Sequence, residues 1–178
     1  TMCATTNGKR RSRFVTACAA ALPHLPAWRA MVIGADRFRP DSPETAFAMQ
    51  IRAAAAHARV DIAGYRDHPE VLEAMAKAAI VVVPSRWPEP FGLVAVEAMA
   101  SGAALICSPR GGLPEVGGDV AVYADPDDPA AIATAIRTLA KDEVRRAELA
   151  VAGRERAKLF DLPVVADMLA QHRRRLLA

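Results

Sequence analysis

Short apolar, β-branched runs alternate with longer stretches of helical periodicity through the first two-thirds of the chain. The runs at residues 29–34 (RAMVIG), 59–63 (RVDIA), 80–84 (IVVVP), 103–107 (AALIC) and 120–123 (VAVY) predict strands. Residues 80–83 are apolar at every position, as a parallel strand buried on both faces requires. Between the runs, helices are expected over about 9–21, 44–58, 69–79 and 91–101. Their ends carry boundary signals: Ser42-Pro43-Glu44 and His68-Pro69-Glu70 at two starts, and Gly102 at one end. After Tyr123 the strand pattern stops, and helices are expected from Asp128-Pro129 to about 140, over 142–159, and from 162 onward. In the last of these, Leu162, Val165, Met168, Leu169, His172 and Leu176 recur at spacings of three and four, with arginines opposite. Alternating β and α units joined by short loops predict a Rossmann-like, doubly wound parallel sheet of the α/β class with extra C-terminal helices. Residues 1–5 read either as a short first strand or as loop, and the chain has the look of the later part of a longer protein.

The 178 residues fit one domain, with a core over about 9–140 and terminal helices over 141–178. Hydrophobic residues at 52% and charged ones at 24% exclude a disordered chain. No apolar run approaches the ~18 residues of a membrane span. Cys3, Cys18 and Cys107 form no C-x-x-C pair, which predicts reduced thiols and a cytoplasmic location. The net charge of +3 conceals a bias, since 19 of the 23 cationic residues are arginine. The basic clusters at 9–13 and 173–175 lack interleaved aromatics, so solvated helix faces are expected rather than nucleic-acid binding.

Candidate chemistry concentrates in residues 84–102, PSRWPEPFGLVAVEAMASG, directly after the buried strand. That position is the carboxyl edge of the sheet, where open α/β folds bind ligands. A helix opening at Phe91-Gly92 would aim its unpaired N–H groups at that edge and form an anion site. Gly92 lets a ligand approach the backbone, Glu89 precedes the helix, and Glu97 follows eight residues later within it. The two carboxylates can thus meet hydroxyl groups on opposite sides of a bound phosphate.

The run Glu89-Pro-Phe-Gly, four residues, then Glu97-Ala-Met-Ala resembles the signature of retaining glycosyltransferases of the GT-B fold, family 4 (glycosyl transferases group 1). Neighbouring motifs keep register with it. Ala63-Gly64-Tyr65 ends a strand as that family's glycine loop does, and Pro84-Ser85-Arg86 fills its proline-serine position. Gly111-Gly112-Leu113-Pro114-Glu115 resembles its double-glycine turn, and residues 122–129 (VYADPDDP) its following strand and helix start. The resemblance is to the C-terminal, donor-binding half, without an amino-terminal acceptor domain in this chain.

The resemblance implies donor binding from a nucleoside-diphosphate sugar and metal-independent, retaining transfer of a hexose-type unit, with little transfer by this half alone. Glu97 would accept hydrogen bonds from ribose hydroxyls, and Glu89 would bind a donor-sugar hydroxyl. The N–H groups of Phe91 and Gly92 would contact the sugar, and those of Leu93 and Val94 the distal phosphate. Tyr65 and Arg66 would border the base, and Ser85 would belong to the same pocket. Lys9 fits the family's phosphate-neutralising lysine; its arginine partner would fall on Ala4, leaving that role to Arg10. Glu89 and Lys9 are the expected catalytic pair. Positive charge and helix N–H groups aimed at a departing diphosphate favour the transition state over the ground state. Alternative functions on the same fold are a non-catalytic nucleotide-sugar-binding module and an epimerase or phosphorylase.

Other motifs are weaker. No G-x-G-x-x-G or G-x-x-x-x-G-K-[ST] occurs. Asp125-Pro126-Asp127-Asp128 reads as a helix start, Asp128 capping and Pro129 in the first turn, rather than as a metal motif. The four histidines, at 24, 57, 68 and 172, are isolated and expected at the surface or in packing. The apolar stripe of the last helix predicts self-association of the chain through that helix.

Overall fold

The computed structural model describes residues 1–5, 10–34 and 45–177. Six strands, β1 (Met2–Thr5), β2 (Ala30–Ile33), β3 (Val60–Gly64), β4 (Ile80–Val83), β5 (Ala104–Cys107) and β6 (Ala121–Tyr123), form one sheet. Every adjacent pair is parallel, in the order β3-β2-β1-β4-β5-β6. The expected doubly wound fold is therefore observed, and its topological switch point lies between β1 and β4. The uncertain opening segment proves to be the central strand. Met2 pairs with Ala30 on one side and Ile80 on the other, and Met2, Cys3 and Ala4 are buried.

Strict alternation divides the strands between two cores. Met2, Ala4, Ile80, Val82, Ala104 and Ile106 face α1 (Arg10–Ala21), α2 (Ala46–His57) and α6 (Pro129–Lys141). Cys3, Val81, Val83, Leu105 and Cys107 face α3 (His68–Ala76), α4 (Leu93–Ala100), α5 (Leu113–Gly117) and α7 (Glu143–Ala157). Burial on both faces is why these runs are apolar at successive positions.

Helix boundaries follow their caps. Asp67 and Glu70 close a reciprocal capping box that fixes the start of α3 at His68. Asp128 accepts from the Ala130 N–H, as the sequence suggests for that helix start, and Asp142 accepts from the Arg145 N–H to cap α7. Thr45 caps α2 by accepting from the Ala48 N–H; the expected start at Ser42-Pro43-Glu44 lies outside the described residues. One expectation is corrected: α4 begins at Leu93, not Phe91, because Gly92 holds φ 94 and ψ 52, outside the right-handed helical region. The short helix α5 was not expected, its Gly-Gly-Leu-Pro start giving no helical periodicity. The last helix, α8 (Leu162–Leu177), contains no buried residue and rests on the single turn Lys158–Phe160.

Candidate functional site

The loop after β4 is built from its buried end outward. Ser85 is 2% exposed, and its hydroxyl lies 2.6 Å from Glu89 Oε1 and 3.1 Å from the Trp87 carbonyl. One proton serves one acceptor, and the shorter, charge-assisted contact to Glu89 takes it. Ser85 therefore stands behind Glu89 and orients it. The Ser108 hydroxyl, at the end of β5, in turn donates to the Ser85 carbonyl at 2.6 Å.

The double-glycine turn lies directly beneath this loop. The Gly112 N–H donates to the Glu89 carbonyl at 2.7 Å. A side chain at Gly111, whose φ is 59, would overlap the backbone of Glu89 and Pro88. A Cβ at Gly92 would come within 2.6 Å of Leu113 Cδ2. Phe91 turns its ring edge-on to Phe160, centroids 5.5 Å apart at 81°. Gly92 then starts α4 without a side-chain cap, and the N–H groups of Leu93 and Val94 have no carbonyl within the helix to bond. The groups assigned to the sugar, on Phe91 and Gly92, thus belong to the loop, and those assigned to the phosphate belong to the helix.

Glu97 is the fifth residue of α4, with 27% of its side chain exposed. Its Oε1 is 2.8 Å from His68 Nε2, on the first residue of α3. Sequence reading did not foresee this contact, because a lone histidine 29 positions away carries no local signal. The strand-to-helix link before it presents Tyr65, 65% exposed, and Arg66, which pairs loosely with Glu70 at 4.0 Å. Lys9 and the Arg10 side chain lie outside the described residues; α1 starts at Arg10, at the same edge, directly after β1.

A carboxylate hub ties this edge together. Asp127 Oδ2 accepts from Arg110 at 2.8 Å, and Oδ1 faces Arg86 Nε at 2.5 Å and Arg13 Nη2 at 3.6 Å. Those two guanidinium groups lie off the hydrogen-bond line of Oδ1, so their attraction is ionic. Arg13 also donates to the Asp127 carbonyl at 2.6 Å, and Arg110 reaches the Arg86 carbonyl at 3.2 Å. One acid thereby links α1 to the loops after β4, β5 and β6. The Arg110 hydrogen bond, aided by the Arg86 and Arg13 charges, holds the Asp127 carboxyl below the usual carboxylate range against its partial desolvation. The 125–128 acids are accordingly spent on arginine pairing and helix capping. Among the described residues, no three His, Cys, Asp or Glu gather in a metal-binding group, and no helix is long and apolar enough to cross a membrane. Cys3, Cys18 and Cys107 are free and buried; burial pushes the Cys3 and Cys107 thiols up to about 11 and about 12, and Cys18 up as well.

A six-stranded, doubly wound parallel sheet flanked by helices is the α/β architecture of GT-B glycosyltransferase domains. The model of glycosyl transferases group 1 matches residues 6–156, and the chain belongs to that family. It is 40% identical over 111 residues to glycogen synthase of Mycobacterium tuberculosis, covering 61% of this chain and 27% of that protein. It is 39% identical over 103 residues to D-inositol 3-phosphate glycosyltransferase of Corynebacterium diphtheriae, covering 57% and 24%. Among solved structures, it matches sucrose-phosphate synthase from Thermosynechococcus elongatus with TM-score 0.76 and 29% identity, covering 99% of this chain and 45% of that one. The C-terminal domain of a glycosyl transferase group 1 protein (LpcC) from Francisella tularensis matches at TM-score 0.75 and 26% identity, covering 88% and 84%. HepE from Anabaena, solved in complex with UDP-glucose, shares the fold at TM-score 0.79 and 22% identity. The chain spans about a quarter of the two curated relatives named above.

Proposed function

We propose that this chain is the donor-binding half of a metal-independent, retaining glycosyltransferase of family 4 that moves a hexose-type unit from a nucleoside-diphosphate sugar in the cytoplasm. One observation carries the reading: Glu89 and Glu97 flank the N-terminus of α4, where Gly92 exposes two unbonded helical N–H groups. Glu97 accepts from the ribose, the N–H groups of Leu93 and Val94 take the distal phosphate, and Glu89, oriented by Ser85, takes a sugar hydroxyl. Phe91 and Gly92 offer backbone N–H groups to the sugar, Tyr65 and Arg66 border the base, and Lys9 with Arg10 supplies positive charge from the β1 side. Negative charge building on the departing diphosphate is then met by fixed dipoles and cations, which favour the transition state. In this reading transfer also uses an acceptor-binding domain, and the chain spans under half of glycogen synthase and of sucrose-phosphate synthase, which it matches. Alone, the chain pairs with a second copy through the uncovered apolar face of α8.

The experiment is a thermal-shift screen of UDP, GDP, ADP and their sugars, run with and without excess EDTA. A nucleotide at about a hundred times its Kd should stabilise the fold by about 2.7 kcal/mol through mass action. Stabilisation that survives EDTA is the expected result. Stabilisation by none of them, or only with added Mg²⁺ or Mn²⁺, would overturn the reading.

A further inference from the structure

We propose that His68 is a positioning residue for the nucleotide site: its imidazole presets Glu97 to receive a ribose diol. The inference rests on the reading of Glu97 as the ribose ligand. His68 is the first residue of α3, and the capping box formed by Asp67 and Glu70 fixes the backbone from which it projects. From there Nε2 reaches Glu97 Oε1 on α4 at 2.8 Å. A carboxylate only accepts, so Nε2 carries the proton and donates.

Burial does not demand this contact. The Glu97 side chain is 27% exposed and that of His68 66%, so water can solvate both groups without the pairing. What the pairing does is restrict a long, rotamer-rich side chain that would otherwise have to be ordered by the ligand. It leaves acceptor capacity for two hydroxyl groups, since a carboxylate offers about four lone-pair sites and the imidazole takes one. Ribose and His68 therefore bind Glu97 together rather than in competition. His68 also follows the Tyr65–Arg66 segment by two residues, so the chain segment bordering the base grips the acid that reads the sugar.

The test measures Kd values for UDP, GDP and ADP, and for their 2′,3′-dideoxy forms, by titration calorimetry. The proteins are the parent, His68→Ala, His68→Gln, Glu97→Ala and the double alanine variant. His68→Ala should weaken the ribonucleotide that the parent binds by about threefold to tenfold, the worth of one positioned hydrogen bond, and leave its dideoxy form unchanged. His68→Gln, whose amide nitrogen replaces Nε2, should restore affinity, and His68→Ala should add nothing in the Glu97→Ala background. Equal losses for ribo and dideoxy forms, or additivity with Glu97→Ala, would overturn the proposal. So would ribose-dependent parent binding that His68→Ala leaves intact, although the ribose reading of Glu97 would then stand. Parent binding to none of the three nucleotides would overturn both.

Discussion

The loops at the carboxyl edge of the sheet and the terminal helix α8 both expose large apolar side chains, yet they are built in opposite ways. Trp87, Phe91 and Leu93 sit on a segment tied to its neighbours by Ser85, Ser108, the double-glycine turn, Phe160 and the Asp127 hub. Leu162, Met168, Leu169 and Leu176 sit on a helix that rests on one turn, beside a groove of about 470 Å³ lined by Leu159, Phe160 and its own Val165. Exposure alone does not separate the two regions. Cross-linking does: the loop backbone is held by side chains from distant strands, as the proposed ligand site requires, whereas the apolar stripe of α8 has no such ties, as the proposed pairing surface requires.

The largest effect should come from removing the space under the loop. Gly111→Ala must adopt φ near 59, which costs roughly 1–2 kcal/mol, and must also displace the Glu89 backbone. Misplacing that loop, which is assigned to the donor sugar, should weaken binding of the best nucleotide-sugar by roughly a hundredfold. Affinity within about threefold of the parent would show that the loop is not held by its floor.

Glu97→Ala comes next, with an expected loss of roughly 1.5–3 kcal/mol, or about tenfold to a hundredfold in Kd, read by calorimetry. Unchanged affinity would remove Glu97 from the site.

The Asp127 hub should appear as a pH dependence. Its folded carboxyl titrates below the unfolded one, so its stabilising contribution is complete above the unfolded value near 3.8 and is lost as pH falls through the depressed folded value. Asp127→Asn should therefore lower the melting temperature at pH 7 and shrink the difference from the parent as pH drops below about 3.8. A difference that stays constant over that range would mean the arginines do not stabilise the charged form.

The smallest effect belongs to α8. Leu169→Glu should change stability by no more than about 0.5 kcal/mol and leave nucleotide affinity unaltered, because the residue is 65% exposed. The parent should show concentration-dependent light scattering, and Leu169→Glu should abolish it. A parent that stays monomeric would contradict pairing through α8.

The sequence was most readable where burial imposed a rule. β4 and β5 face two cores, so apolar residues at every position marked them and their carboxyl edge. The strand β1 was harder, because Met-Cys-Ala-Thr has little β-branching and its neighbours at 6–8 are polar. Asp128 declared itself as a cap because capping is local. Asp127, one residue from a cap, did not, since its partners arrive from as far away as Arg13 on α1. Glu89 and Glu97 stood out through the family-like spacing around Gly92, whereas the His68–Glu97 contact depends on how α3 packs beside α4. The start of α4 was misplaced by two residues, because nothing in Phe-Gly-Leu announces a left-handed glycine. Lys9 lies outside the described residues.

The most direct test of the contrast between the two regions is a backbone amide NMR titration of the ¹⁵N-labelled chain with UDP, GDP or ADP, whichever stabilises it most. Shifts concentrated at Gly92, Leu93, Val94 and Glu97 and along 64–68, with α8 unmoved, are the expected result. Shifts centred on 162–177, with the Gly92–Glu97 amides unmoved, would contradict it.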